Sequence, residues 1–484
     1  MRLMRSAVLG SALLTLALAS PVGASSPNPQ WTVARSMLLP TGATGLTQGY
    51  LPGLACPSAG NCTAAGAFDD LSGNTQGLLI TETSGTWNAP YQVVPPSDAG
   101  TNPAVTIYAV SCPSVGSCGA VGSYQDVRGD TQSFVVNESA SSWANARKVT
   151  LPTDALLNGQ NSNVRAVSCT SPGNCSAVGS YLDGTSPISR QEGFTLNEVN
   201  GTWKAASTVQ LPPRANFNPF VSISQIQCTA SANCVAIGSY VDAQNTTRAL
   251  VLSEVNGVWA AAKALVLPNN ANAYPLASLS EVTCVSAGNC VAIGTYLNST
   301  GATQGMTASE SSGVWGRATA VAMPVNAAAN PHVFFYGYAG VSCSSIGNCS
   351  AGGQYRDRSG HYQGFFVNEV AGNWQAATEM AIPPGALEAG RNGGVVAVSC
   401  SSDGNCSAGA AYLDAAGNYQ ALVVNRVNSL WQTGVMVVLP AGATNVGTGG
   451  GIYGLVCGAT GPCTATGSYL DAQGNYQGMT LSSS

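Results

Sequence analysis

Sixteen cysteines fall in eight pairs, Cys56/Cys62, Cys112/Cys118, Cys169/Cys175, Cys228/Cys234, Cys284/Cys290, Cys343/Cys349, Cys400/Cys406 and Cys457/Cys463, with 56 to 59 residues between successive pairs. All eight tryptophans, Trp31, Trp87, Trp143, Trp203, Trp259, Trp315, Trp374 and Trp431, keep the same period, each 25 to 28 residues before the next pair's first Cys. Two independent residue types with one period mean that a single supersecondary unit is built eight times, the signature of solenoids and propellers.

One copy reads as four short extended segments. The first runs from Val164 to Cys169, and TSPGN turns the chain back. The second, from Cys175 to Leu182, is a nearly unbroken run of small and apolar residues, as a strand covered on both faces requires. A turn follows, clearest at Asp414-Ala415-Ala416-Gly417-Asn418, where Gly supplies a positive φ and Asp bonds the turn backbone. The third segment is Gly193 to Val199, and Asn200-Gly201 is a tight-hairpin signal. The fourth runs from Trp203 to Leu211 with Trp203, Ala205, Val209 and Leu211 on one side and Lys204, Thr208 and Gln210 on the other, until Pro212 stops it. No helical period competes after the N-terminal segment. Four antiparallel strands in each of eight copies predict an all-β, eight-bladed β-propeller. The small residues Gly122, Gly179, Gly238, Gly294 and Gly467 are expected to let blades approach near the axis.

The phase of the repeat predicts closure. A lone fourth-type strand at about 31–39 precedes the first copy, and a third-type strand at about 477–482 ends the last. Pairing these two completes the eighth blade and removes two open edges, which an open solenoid would leave bare.

Arg2 and Arg5, an apolar run from Ala7 to Ala19, and the small-residue ending Val22-Gly23-Ala24 read as a secretory signal over residues 1–24, cleaved after Ala24. The mature chain, 25–484, is expected to be one propeller domain, secreted, monomeric and without a membrane-inserted segment. Removing Arg2 and Arg5 leaves 15 basic against 22 acidic side chains. Nucleic acid and anionic membranes are excluded as partners, since both need clustered Lys and Arg. Only 8% of residues are charged, so Ser, Thr, Asn, Gln and Gly must build the surface.

With an export signal and an even count, the Cys pairs read as disulfides that staple the first hairpin of each blade. The alternative is metal, for which the spacing is not a zinc knuckle's and only His332 and His361 exist to help. No cofactor is expected. Glu82, Glu138, Glu198, Glu254, Glu310 and Glu369 recur at one third-strand position, and Asp70, Asp126, Asp183, Asp242, Asp357, Asp414 and Asp471 at one turn position. Recurrence assigns both sets to hairpin hydrogen bonding and turn chemistry, with calcium at the Asp turns a weaker alternative. The tyrosines two residues before those turns, such as Tyr124 and Tyr181, read as blade-packing rings.

The tight turns before Trp, as in Asn197 to Trp203 and Glu310 to Trp315, resemble a degenerate Asp-box hairpin of sialidase-like propellers, without that motif's Asp and one residue short. The whole chain also resembles secreted bacterial propeller repeat proteins with paired cysteines. A sialidase-type site would imply an arginine triad, a Tyr–Glu nucleophile pair and an acidic proton donor, and no motif carries these roles onto numbered positions.

The copies differ in the stretch joining each fourth strand to the next first strand. RANFNPFVS brings Arg214, Phe217 and Phe220, NNANAYPLAS brings Tyr274, GALEAGRNGG brings Arg391, and AGATNVGTGGGIYG brings Tyr453. The stretch from Val325 concentrates His332, Phe334, Phe335, Tyr336 and Tyr338 within seven residues. These aromatics form either a packed plug or a platform that stacks on sugar rings or holds a peptide. Two classes of function follow. A noncatalytic extracellular binding or adhesion module for a glycan or protein ligand is favoured by the sparse charge and variable aromatic loops. The alternative is a glycan-acting hydrolase or lyase using nonrepeated acids such as Asp154, Glu281 and Glu388.

Overall fold

A computed structural model describes residues 29–49, 51–157, 159, 161–184, 189–336, 340–386, 393–444, 450–459 and 461–484. The expected export signal, Tyr338, Glu388 and Arg391 lie outside these residues. Eight antiparallel sheets follow one another along the chain as propeller blades. In blade 3 the inner strand Asn163–Ser171 pairs with Asn174–Asp183, which pairs with Arg190–Val199. Consecutive inner strands are neighbours all round, and Gly451–Cys457 of blade 8 meets Gly53–Ser58 of blade 1.

The ring closes as the repeat phase predicts. Arg35 pairs with Thr480 and Ser36 with Met479, and a further bridge joins Trp31 to Ser483. The last blade therefore takes its outer strand from the chain's beginning, which removes both open edges.

Register explains the disulfides. Cys169 and Cys175 sit directly opposite each other, 4.0 Å apart at Cα, and are bonded. The other seven expected pairs are bonded in the same way: Cys56–Cys62, Cys112–Cys118, Cys228–Cys234, Cys284–Cys290, Cys343–Cys349, Cys400–Cys406 and Cys457–Cys463.

Spacing alone does not distinguish the two cysteines of a pair, but the structure does. Cys62, Cys118, Cys175, Cys234, Cys290, Cys349, Cys406 and Cys463, the second of each pair, are all buried, whereas the first is half-buried in every blade except blade 4, where Cys228 is buried too. The second cysteine opens the strand that is covered on both faces, so its sulfur is pressed against the blade before it. Thr63 Oγ1 of blade 1 lies 3.6 Å from Cys118 Sγ, Ser350 Oγ of blade 6 lies 3.5 Å from Cys406 Sγ, and Ser407 Oγ of blade 7 lies 3.6 Å from Cys463 Sγ. These hydroxyls follow Cys62, Cys349 and Cys406 directly in the chain. A staple expected to serve its own hairpin therefore also packs the seam between blades.

The Ser before the first Cys has its own task at that seam. Ser111, Ser168, Ser342 and Ser399 each accept the backbone N–H of the next blade's first Cys at 2.9–3.0 Å.

The core is a set of inter-blade slabs. Val121, Val135 and Val149 of blade 2 pack with Val164, Ala177, Tyr181 and Phe194 of blade 3, all buried. The recurrent tyrosine also ties down the loop rim. Tyr124 Oη donates to Asp98 at 2.5 Å, Tyr181 to Asp154 at 2.9 Å, Tyr296 to Asn270 at 2.7 Å and Tyr355 to Asn326 at 2.8 Å. Asp154 is thus one of a recurring Asp/Asn set that clamps loops, not a lone acid.

Two expectations are corrected. The fourth strand is not continuous: Thr202–Trp203 and Ser207–Thr208 pair with the third strand, with one extra residue between them. The Ala206 N–H in that gap leaves its own ladder and donates to Thr150 O of blade 2 at 2.8 Å. Ala146, Ala262, Ala318 and Ala377 make the same bond to the blade before them, and Ala34 makes it to Val438, so the closing strand is held like the others.

The recurrent glycines do not serve contact between blades. The inner strands of blades 2, 3, 4, 5, 7 and 8 carry a β-bulge, in blade 3 between Val164 and Ala166, and Gly179 lies across from it. A Cβ on Gly179 would come within 2.2 Å of Asn163 O and 2.6 Å of the Phe194 ring, both in its own blade. The same crowding by an inner-strand carbonyl holds at Gly122, Gly238, Gly294 and Gly467. The glycine makes room for the bulge.

Candidate functional site

The joining stretches and the Asp turns share one rim. Ala155 bridges Asp183, Ala215 bridges Asp242, and Ala327 bridges Asp357. Asp70, Asp126, Asp242, Asp357, Asp414 and Asp471 each accept two turn amides with Oδ1, and in five blades a Gln six residues later donates to Oδ2, as Gln132 does to Asp126 at 3.0 Å. Burial pushes these carboxyls up and the donors outweigh it, so Asp126, Asp357 and Asp471 are held below the ordinary carboxylate value. The turn is satisfied within itself, and among the described residues no group of His, Cys, Asp and Glu is placed to hold a metal.

Beyond the Ala bridge the stretches diverge in sequence. Phe220, Leu276 and His332 each follow a proline and adopt a positive φ of 41–43°. Bulky side chains rarely take that region, and where they do the surrounding structure imposes it. Here the preceding proline carbonyl accepts an N–H from the second strand at 2.6–2.7 Å, which fixes the turn. Phe220 and Leu276 stand exposed as a result, and Phe217 and Tyr274 nearby in their stretches are each 62% exposed. The Arg190 guanidinium sits 5.3 Å from the Phe217 ring centroid while pairing with Asp183. Arg214 is exposed.

The aromatic stretch of blade 6 splits by alternation. Phe334 bridges Gln354 and faces out, whereas Phe335 is 3% exposed and packs edge-on against Phe365 at 5.6 Å. Phe335 is therefore a core ring, since successive strand residues point to opposite faces. Tyr336 lies edge-on to Phe334 at 5.0 Å, rests over Gly394 of blade 7, and donates to Gln354 Oε1 at 2.7 Å.

Tyr336 and Tyr453, from stretches more than a hundred residues apart, converge with Tyr419 around a cavity of 360 Å³ at blades 6 to 8. Gln354 completes the polar lining, and the Tyr336 and Tyr453 rings lie against Gly394 and Gly451, where a Cβ would meet them. Burial, reinforced by the neighbouring phenols Tyr419, Tyr362 and Tyr453, pushes the Tyr336 hydroxyl up to about 12. It stays a neutral donor and acceptor at any physiological pH.

Tyr419 was not singled out from the sequence, although a signal exists. Blades 6, 7 and 8 open their third strands with Tyr362, Tyr419 and Tyr476, where blades 1, 2, 4 and 5 place Thr75, Thr131, Thr247 and Thr303.

No family model matches the chain. No curated protein matches it either. Among solved structures it is similar to a fucose-specific lectin from Aleuria aurantia, at 11% identity over 69% of this chain and 97% of that one, TM-score 0.33. It is also similar to an ulvan lyase of a polysaccharide lyase family, at 10% identity over 74% and 89%, TM-score 0.42. A third is a subtype N11 neuraminidase-like protein of A/flat-faced bat/Peru, at 11% identity over 74% and 99%, TM-score 0.35. The likeness is one of architecture.

The inner strands enclose a channel with a cavity of 510 Å³. Glu281 lies in its wall, 3% exposed, at a position held by Ala109 in blade 2 and Ala166 in blade 3. Burial pushes its carboxyl up to about 8 against a hydrogen bond with Gln225, and Oε1 has no partner. Glu281 is thus a neutral acid at pH 7.

Proposed function

We propose that the protein is an extracellular glycan-binding module whose site is the tyrosine-lined cavity of blades 6 to 8. The observation that carries this reading is the convergence of Tyr336, Tyr419 and Tyr453 with Gln354 around one cavity. Phenol faces stack on the apolar faces of sugar rings, while their hydroxyls and the amide pair with sugar hydroxyls. Among the described residues no lining group of this cavity is charged, which suits a neutral saccharide. The eight disulfides fit an oxidising compartment, and among the described residues no helix is long and apolar enough to cross a membrane.

A glycan array probed with the mature chain tests this. Saturable binding to a defined neutral glycan, weakened at least tenfold by Tyr336→Ala and by Tyr453→Ala, is expected. Binding that both variants leave intact overturns the site.

A second reading, a glycan-acting hydrolase or lyase, is favoured by Glu281 alone, because a carboxyl raised to about 8 is a proton donor at neutral pH. Hydrolysis needs a second carboxyl nearby, and Glu281 is the one carboxyl among the described residues lining the channel. Turnover of a chromogenic glycoside that Glu281→Gln abolishes would establish this reading in place of the first.

A further inference from the structure

In the six bulged inner strands the extra residue varies from copy to copy. It is Tyr108 in blade 2, Arg165 in blade 3, Ser224 in blade 4, Ser280 in blade 5, Val396 in blade 7 and Tyr453 in blade 8. A bulge re-aims its extra side chain out of the strand's alternation. Tyr108, Arg165 and Ser224 all line the channel. In blades 2, 3 and 4 a constant backbone device thus presents a variable side chain to one enclosed space, whereas in blade 8 it presents Tyr453 to the tyrosine-lined cavity.

Arg165 is the cation of that space. Its guanidinium lies 5.1 Å from the Tyr108 ring centroid, and Tyr108 is itself pinned by a 2.9 Å hydrogen bond between its hydroxyl and Ser123. Arg165 is exposed to the channel, and among the described residues no carboxylate pairs with it. On the loop rim, by contrast, Arg128, Arg190 and Arg248 are tied to turn aspartates. Glu281, the one carboxyl among the described residues lining the channel, is favoured in its neutral form by burial. Around Arg165 the wall offers Thr106, Ser224, Gln225 and Gln227.

We propose that the channel is a second binding site, at which Arg165, held flat by Tyr108, takes the carboxylate of an acidic sugar. A guanidinium presents two parallel N–H groups that match a carboxylate's two oxygens, and an aromatic ring beneath keeps that plane fixed. Hydroxyl and amide side chains suit the remaining ring hydroxyls, and the cavity has the size of an ordinary small-ligand site. The choice of a sugar over other carboxylates rests on the glycan reading above; the anion site does not.

Calorimetric titration of the mature chain with sodium glucuronate, glucose and sodium acetate tests this. Glucuronate is expected to bind saturably and at least tenfold more tightly than glucose or acetate. Arg165→Gln should abolish the preference, and Arg165→Lys should restore only part of it, because an ammonium lacks the fork. Tyr336→Ala, in the other cavity, should leave glucuronate binding unchanged, which separates this site from the neutral-glycan site. Circular dichroism and melting temperature like those of the parent show that Arg165→Gln is folded. Equal binding of glucuronate and glucose, or unchanged affinity in Arg165→Gln, overturns the site. Acetate binding as tightly as glucuronate overturns the assignment to a sugar.

Discussion

Trp203 Nε1 of blade 3 donates to Asn137 Oδ1 of blade 2 at 3.0 Å. The Asn137 amide in turn donates to the Glu198 carboxylate, directly opposite Trp203 in blade 3. One asparagine thus joins both outer strands of the next blade to its own. Trp431 with Asn368 and Trp31 with Asn425, each at 3.2 Å, repeat the first half of the arrangement, the latter across the ring closure. Glu254 and Glu369 likewise accept from Asn197 and Ser309 of the blade before them. These recurring glutamates are bonded across the seam between blades, not within their own hairpins.

Asn137→Ala removes both bonds and leaves the buried Glu198 without its donor. A loss of about 1–3 kcal/mol is expected in urea denaturation. Adding Glu198→Gln should recover part of it, since the charge is what needs the donor; a strictly additive double variant would disprove the coupling.

Stability should peak in mild acid. Burial raises Glu82, Glu138, Glu198, Glu254, Glu310 and Glu369 above 4.5. A raised folded-state value means the native state binds more protons between the unfolded and folded values, so stability falls as pH rises through that interval. The turn aspartates, depressed below 3.8, act in the opposite sense and lose stability as pH falls through their folded values. Melting temperature followed against pH should therefore rise as pH falls from neutrality towards about 4.5 and drop again in stronger acid. A monotonic profile over that range would refute the assignment.

Glu281→Gln isolates one group. At pH 6 the wild-type carboxyl is already neutral, so the variant should melt close to the parent. Above its value of about 8 the parent must bury a charge, and the variant should be the more stable of the two. Equal melting temperatures at pH 9 would show that the carboxyl is solvated.

Gly179→Ala should destabilise by about 1–3 kcal/mol, because its Cβ meets both Asn163 O and Phe194. Blade 7 keeps its bulge with Ala410 at this place, opposite the smaller Leu422. Gly179→Ala combined with Phe194→Leu should accordingly recover part of the loss in the same denaturation experiment.

Replacing Cys169 and Cys175 together by Ser opens one short loop, with an expected loss of about 2 kcal/mol in the chain-entropy view. The remaining seven staples should keep the ring folded, as circular dichroism would show.

Much of the fold was legible because its signals are local or periodic. The Cys pairs needed only a hairpin that sets Cys169 opposite Cys175, and Asn200-Gly201 and the Asp turns carry their own turn chemistry. That Cys118, Cys406 and Cys463 also press on the blade before them was not legible, because the contact joins units a whole period apart. Ring closure followed from the phase of the repeat, where Trp31 to Leu39 lacks a partner that Gln477 to Ser482 supplies. The site was legible only in part. Tyr336 and Tyr453 stood out as aromatics in unlike stretches, but Phe335, one residue away from Tyr336, is core.

The sequence by itself determined the unit, the number of copies, the covalent staples and the strand exchange that closes the ring. Each follows from spacing along the chain. Only the tertiary structure decided what those units present to one another and to the channel. The bulge shifts an inner strand by one residue, and no period-2 pattern encodes that step. It moves Tyr108 and Arg165 into the channel and makes Gly179 a packing requirement of its own blade. The meeting of Tyr336, Tyr419 and Tyr453 depends on how three blades are set around an axis, a geometry that exists only once the ring has closed.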